Sequence, residues 1–323
     1  MTMTPEQATG FQDAFGRLVE NVEQVLVGKT FVVRLGFVAL FSEGHLLLED
    51  FPGTGKTSLA RAIAQSVQGI GHRIQFTPDL LPGDITGVTV YDQRQAEFSF
   101  HPGPVFANIV LADEINRASP KTQAALLEVM EEGHVTVDAE QHDVPSPFMV
   151  IATQNPIEQA GTYRLPEAQL DRFLLKASIG YPDHAATLRI LSGSPDKPHE
   201  RTVPGIITSE AVLEMARLAR TTYVDPSVND YVSRLVDATR SASEVRLGAS
   251  VRAALGLVRA ARTLAAASGR HYVTPDDVKS LAQPVLAHRL VLDPEAEFDG
   301  VTAESVVAQL LLEVPPPSDR QAG

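Results

Sequence analysis

The stretch Leu46-Leu47-Leu48-Glu49-Asp50-Phe51-Pro52-Gly53-Thr54-Gly55-Lys56-Thr57-Ser58-Leu59-Ala60 constrains this chain more than any other. A short apolar run enters a turn carrying two glycines, and a helical pattern starts near Lys56. In this strand–loop–helix order, glycines let backbone N–H groups curl around phosphate oxygens. The helix N-terminus adds unsatisfied donors and the positive end of its dipole. The pattern puts Lys56 on the β- and γ-phosphates of a nucleotide and the Thr57 hydroxyl on Mg²⁺. Pro52, Gly53, Thr54, Gly55 and Ser58 complete the candidate nucleotide-binding set. One position departs from G-x-x-x-x-G-K-[ST], because Asp50 stands where the first glycine belongs. The plain alternative, a glycine-rich turn with a surface lysine, lacks any reason for the matching context.

The 323 residues, 44% of them hydrophobic, suit one large or two medium domains. The absence of cysteine excludes a disulfide scaffold and thiolate metal sites, so an intracellular, cytoplasmic protein is expected. Met1–Gly10 lacks the basic residues and apolar core of a signal peptide, and no apolar run approaches the ~18 residues of a membrane span. A net charge of −13 argues against nucleic acid as a partner, while leaving room for a local basic groove.

Taken in order, Phe11–Val27 reads as an amphipathic helix and Thr30–Phe41 as a second. The strand His45–Glu49 leads into the glycine loop, Ser58–Gln68 is helical, and Arg73–Thr77 is a short strand. Val88–Tyr91 and Glu97–Phe100 flank a polar tip, as a hairpin does. The apolar run Asn108–Ala112 reads as a strand buried on both faces, and Asp113-Glu114 follows it. Ser119-Pro120 starts a helix that Gly133 closes. A second hairpin is expected over 134–148, its second arm running into the strand Phe148–Thr153, with Asn155 just beyond. Pro166–Arg172 is a short helix and Phe173–Ile179 a last strand. Strands alternating with helices predict an α/β domain over 1–180 with a mostly parallel sheet. A linker over 181–203 leads to a region, 204–314, with only helical patterns: Ser209–Arg220, Ser227–Ser241, Ser250–Ser268, Thr274–His288 and Thr302–Leu312. The tail 315–323 is expected to be disordered.

In a parallel sheet, ligands bind outside the carboxyl ends of the strands. The glycine loop, Asp113-Glu114 and Asn155 each end a different predicted strand. Asp113 can hold Mg²⁺ through water, Glu114 can polarise an attacking water, and Asn155 can orient that water or meet the γ-phosphate. Phosphoryl transfer needs positioning and charge neutralisation, which this inventory supplies in kind. Read alone, Asp113-Glu114 is a solvated strand end and Asn155 a turn residue before Pro156. Among the nine histidines, His134 and His142 could face each other across the second hairpin, with a solvated surface as the plain reading. Tyr91, Phe98 and Phe100 could contact a partner or pack within their hairpin.

Phe51–Thr57, Ile109–Ala118, Ala152–Pro156, Leu165–Phe173 and Leu247–Ala253 resemble the MoxR family of AAA+ ATPases, over most of the chain. The most specific part runs from Phe106 to Ala118. Besides Asp50, Val251 departs from the family's Pro; neither change removes a functional group, so activity is expected to survive. The resemblance implies a P-loop AAA+ parallel sheet flanked by helices and an all-helical lid domain. It places the two hairpins as family insertions. It implies ATP and Mg²⁺ at the interfaces of a homo-oligomeric, usually hexameric, ring. Arg172 matches the arginine finger reaching a neighbour's γ-phosphate, and Arg252 the lid arginine. Arg117 is a weaker interface candidate. The segment holding Val27 and Gly28 could hold adenine, as such segments do in many ATPases of this type, or serve only the packing of the helix before it. The family acts on other protein complexes, including metal-cofactor insertion, with von Willebrand factor A domain partners. The related alternatives are activators of nitric oxide reductase or Rubisco and a magnesium-chelatase subunit. From other classes come a nucleic-acid-dependent motor and a non-hydrolysing ATP-switched scaffold.

Overall fold

The computed structural model describes residues 2–51, 53–94, 96–155, 163–181, 184, 187, 188 and 202–317. Its central sheet has five strands: β1 (Leu46–Glu49), β2 (Gly71–Gln75), β3 (Ile109–Asp113), β4 (Met149–Gln154) and β5 (Leu175–Ala177). The spatial order is β5-β1-β4-β3-β2. Leu46 pairs with Ile151, Ile109 with Met149 and Gly71 with Ile109, all in parallel. Every residue of β3 is buried, as are the first five of β4, which is why these strands read as unbroken apolar runs. The edge strand β2 buries only Ile74 and shows polar side chains elsewhere. It begins two residues before the predicted Arg73. At Gly71 a Cβ would stand 3.3 Å from that of Ala64, so this glycine serves a close strand–helix approach.

The helix Lys56–Ser66 follows β1, and the helix Pro120–Glu132 follows β3. The latter starts and stops where its caps dictate. The Ser119 hydroxyl accepts the Thr122 N–H at 3.3 Å, and Gly133 leaves the helix at φ 71°. Leu126 and Leu127 pack with Leu47, Val110, Val150 and Phe173 in the core. His45 is also buried there. One ring nitrogen meets the Met130 carbonyl at 3.0 Å, and the other accepts the Val150 N–H at 3.0 Å, so the imidazole is a neutral tie.

Both predicted hairpins are present, as antiparallel pairs Gly87–Asp92 with Glu97–Pro102 and His134–Val137 with Glu140–Asp143. The second does not run into β4, because Pro145 and Pro147 intervene and cannot donate to a ladder. His134 stands opposite Asp143 and His142 opposite Val135, so the histidines do not face each other. The His142 ring instead stacks 4.0 Å from that of Phe100, which also meets Phe106. Phe98 remains 73% exposed.

The chain divides into two compact units. One takes Arg17–Phe173 and Ala177–Glu214; the other takes Met1–Gly16, Leu174–Lys176 and Met215–Gly323. The first helix, Pro5–Glu23, thus contributes its opening turns to the second unit, which no pattern in the sequence announced. Ser209–Arg220, Pro226–Ser241, Val251–Ala267, Pro275–Leu286 and Ala303–Glu313 are helical as expected. Two short additions have no helical signature. Val245–Leu247 pairs with Val291–Leu292, and Ile207–Thr208 with Val67–Gln68. Among the described residues no helix is long and apolar enough to cross a membrane. Most of the expected linker, and residues 318–323 of the expected tail, lie outside the described residues.

Two glycines test this packing in opposite directions. Gly10 lies mid-helix with open space around an added Cβ, so Gly10→Ala should stabilise by about 0.5–1 kcal/mol. At Gly103 a Cβ would stand 2.2 Å from the Ile85 carbonyl oxygen and 2.5 Å from the Gly87 nitrogen. Gly103→Ala should therefore cost about 1–3 kcal/mol. Denaturant midpoints of the two variants, moving to opposite sides of the parent, check the pair.

Candidate functional site

Because β1, β4 and β3 are adjacent and parallel, their carboxyl ends meet on one edge of the sheet. The glycine loop leaves β1, Asp113-Glu114 ends β3, and Asn155 follows β4. Gly53 at φ 83° and Gly55 at φ 96° turn the loop through left-handed backbone, and the helix begins at Lys56. The first N–H groups of that helix have no partners within it, which leaves them for an anion. A cleft of about 550 Å³ opens here. Val25, Gly53, Thr54, Gly55, Lys56, Thr57, Ser58, Arg61, Ala62, Gln65, Arg73, Gln75, Asp113, Glu114, Thr153, Gln154 and Asn155 line it.

The Asp113 carboxylate is the hub. One oxygen accepts the Thr57 hydroxyl at 3.2 Å and pairs with Arg73 Nη2 at 2.7 Å. The other accepts the Thr153 hydroxyl at 2.6 Å. Thr153 Oγ1 in turn accepts the Glu114 N–H at 2.9 Å, so a single buried hydroxyl fixes both acids. Glu114 holds φ 56°, a left-handed backbone that costs a non-glycine residue about 1–2 kcal/mol. Its carboxylate accepts from Arg117 at 2.8 Å and Gln75 at 3.2 Å. Asn116 donates its side-chain amide to the Asn155 carbonyl at 3.3 Å.

Lys56 rests on the loop itself, donating to the Asp50 carbonyl and, at 2.8 Å, to the Phe51 carbonyl. Burial pulls its ammonium below the ordinary lysine range, and the carboxylates of Asp50, Asp113 and Glu114 oppose only part of that. For the Asp50 carboxyl, burial works upward. Hydrogen bonds from Gly180, Ser178, Phe51 and Ile179 outweigh it and hold the group below its usual value.

Several other residues expected at the site lie elsewhere. Val25 lines the cleft, whereas Val27 and Gly28 do not; Gly28, at φ 76°, turns the chain between the first two helices. Arg172 follows the short helix Glu167–Leu170, outside the cleft lining, and pairs with Glu131 at 2.8 Å. Arg252 sits second in its helix, within the C-terminal unit. Pro52 lies outside the described residues. Arg73, Gln75 and Thr153 belong to no motif in the sequence. Arg73 and Gln75 are spaced by two along β2, and Gln75 registers against Asp113, a signal that needs the strand order to be read.

Among the described residues no group of three or more His, Cys, Asp or Glu side chains could hold a metal. Mg²⁺ bound alongside phosphates needs only one or two protein oxygens, and the Thr57 hydroxyl beside Asp113 fits that demand.

Residues 45–175 match the family model described as the ATPase family associated with various cellular activities (AAA), and residues 237–310 match the AAA lid domain. Chaperone MoxR1 of Mycobacterium tuberculosis is 44% identical over 304 residues, covering 91% of this chain and 80% of that one. The chain belongs to the MoxR family of AAA+ ATPases. Protein MoxR of Methylorubrum extorquens is 31% identical, covering 92% of this chain and 94% of its own. A crystal structure from Cytophaga hutchinsonii, assigned as an ATPase, matches with a TM-score of 0.87 at 36% identity, covering 97% of this chain and 98% of that one. The AAA+ fold expected from the sequence, with a parallel central sheet and a lid domain, is thus that of the MoxR family.

Thr153→Val should leave the Glu114 N–H and an Asp113 oxygen without their partner and destabilise by about 1–3 kcal/mol. Thr153→Ser, which keeps the hydroxyl, should lose markedly less in the same denaturant titration.

Proposed function

We propose that this MoxR-family chain binds Mg·ATP in the cleft and hydrolyses it. Turnover would drive a chaperone-like remodelling of partner protein complexes in the cytoplasm. The observation that carries the reading is the Thr57–Asp113–Thr153–Glu114 network beside the glycine loop. Backbone N–H groups from Gly53 to Thr57 cradle the phosphates. Lys56 leaves the carbonyls of Asp50 and Phe51 to neutralise the β- and γ-phosphates. Thr57 and Asp113 hold Mg²⁺, which when bound offsets the charge that develops on the phosphate oxygens. Glu114, released from Arg117 and Gln75, polarises the attacking water, and Asn155 orients it.

In the same proposal Arg172 leaves Glu131 and completes the site of a neighbouring subunit, and Arg252 serves the nucleotide from the lid domain. This makes the active form a closed homo-oligomeric ring, with six subunits as the family's usual count. A von Willebrand factor A domain protein and a client complex are the proposed partners, and metal-cofactor insertion is a narrower version of the same work. Support comes from the chaperone name of the Mycobacterium tuberculosis relative, whose matched length is nearly that of this chain.

Calorimetry and phosphate release test the core of this. Lys56→Ala should abolish nucleotide binding. Glu114→Gln should bind ATP and hydrolyse it about 10²-fold more slowly or worse. A mixing experiment addresses the shared site. Arg172→Ala and Glu114→Gln should each be inactive alone and recover hydrolysis together. Glu131→Ala, which breaks the Arg172 ion pair while keeping the guanidinium, should stay active. Parent-like turnover by Arg172→Ala alone would end the shared-site model.

A further inference from the structure

Asp50 occupies the position at which a phosphate loop has its first glycine, and its carboxylate is fully engaged. One oxygen accepts the Ser178 hydroxyl at 3.0 Å, the Ile179 N–H at 2.8 Å and the Gly180 N–H at 2.6 Å. The other accepts the Phe51 N–H at 2.9 Å. The residue is 6% exposed. Charge-assisted bonds of this kind are roughly twice as strong as neutral ones, and here they run between the loop after β1 and the chain leaving β5.

Other contacts converge on the same segment. Lys29 Nζ donates to the carbonyls of Ile179 at 2.7 Å and Tyr181 at 2.8 Å, and the Tyr181 ring stacks over Phe51 at 6.4 Å. On the loop side, the Asp50 and Phe51 carbonyls receive the Lys56 ammonium. The residue whose carboxylate grips Ser178–Gly180 therefore also carries, on its own carbonyl, the lysine that phosphate must draw away.

We propose that Asp50 is a positioning residue that couples the phosphate loop to the segment 178–181, so that occupancy of the loop by a phosphate ligand is felt at Ile179 and Gly180. A glycine here would keep the loop's turn but leave the N–H groups of Ile179 and Gly180 and the Ser178 hydroxyl without their acceptor. When Lys56 moves to a phosphate, the Asp50 and Phe51 carbonyls lose their cation and the loop backbone readjusts. The carboxylate passes that readjustment to the chain it holds. The substitution is thus a fixed mechanical link in place of a flexible residue. The inference rests on the proposed nucleotide site for its trigger, while the link itself is independent of it.

Hydrogen exchange on the full chain, with and without saturating Mg·ADP, tests this. In the nucleotide-free protein, Asp50→Gly should speed exchange of the Ile179 and Gly180 amides by about 10-fold or more. Mg·ADP should change exchange at these amides in the parent, and that change should vanish in Asp50→Gly although calorimetry still finds ADP bound. Ser178→Ala, which removes one donor, should show both effects in weaker form and stands in if Asp50→Gly does not fold. An undiminished ADP response in the variants, or none in the parent despite bound ADP, overturns the coupling. Failure of the parent to bind ADP sinks the proposed function instead, and the nucleotide-free comparison then still decides whether the anchor exists.

Discussion

A single buried carboxylate holds the working edge of this molecule together. Asp113 lies at the end of a strand with no exposed residue, and a charge there is tolerable only if its oxygens are satisfied. They are satisfied from three directions: Thr57 on the helix after β1, Thr153 on β4, and Arg73 on β2. Each bond brings in a different element. The carboxyl ends of adjacent strands are thus pinned to one point, and the glycine loop is held beside them. Losing any one partner would leave part of a desolvated charge unpaired, so the network favours staying whole.

The apolar sheet makes such a point usable. β1, β3 and β4 are packed on both faces, and Leu126, Leu127 and Phe173 close the core around them. Side chains at strand ends inherit that rigidity. Glu114 sits one residue past the strand in left-handed backbone, held there by the Thr153 hydroxyl on its N–H. The conformational cost at that residue is offset by a neighbouring strand, as expected where geometry serves chemistry.

Legibility in the sequence followed how local each signal was. The glycine loop, the acidic pair and Asn155 were readable because each is a short motif next to an apolar run. The helix Pro120–Glu132 was readable because its caps, Ser119 and Gly133, are local. Arg73, Gln75 and Thr153 were not, since an arginine, a glutamine and a threonine acquire meaning only through strand order and register. The strands of two or three residues carry too few for any period to show. The hairpin histidines, with a solvated surface as their plain reading, could not be placed for a related reason. A one-residue offset in register puts His142 against Phe100 and leaves His134 across from Asp143. Asp50 looked like a weakened motif because a pattern records which residue is absent. Its partners, Ser178 to Gly180, lie far along the chain.

The same geometry explains how a chain of net charge −13 can offer a site to a polyanion. Lys56, Arg61 and Arg73 line the cleft against the carboxylates of Asp113 and Glu114, so the local balance opposes the global one. Lys56 and Arg73 already face protein oxygens. Arg73 pairs with the Asp113 oxygen that also meets Thr57. Under the proposed function, Lys56 would leave the loop carbonyls for a phosphate and Glu114 would leave Arg117 for the attacking water. What a phosphate ligand would change is which oxygens these groups face, since Lys56, Arg73 and Glu114 are each already paired within the protein.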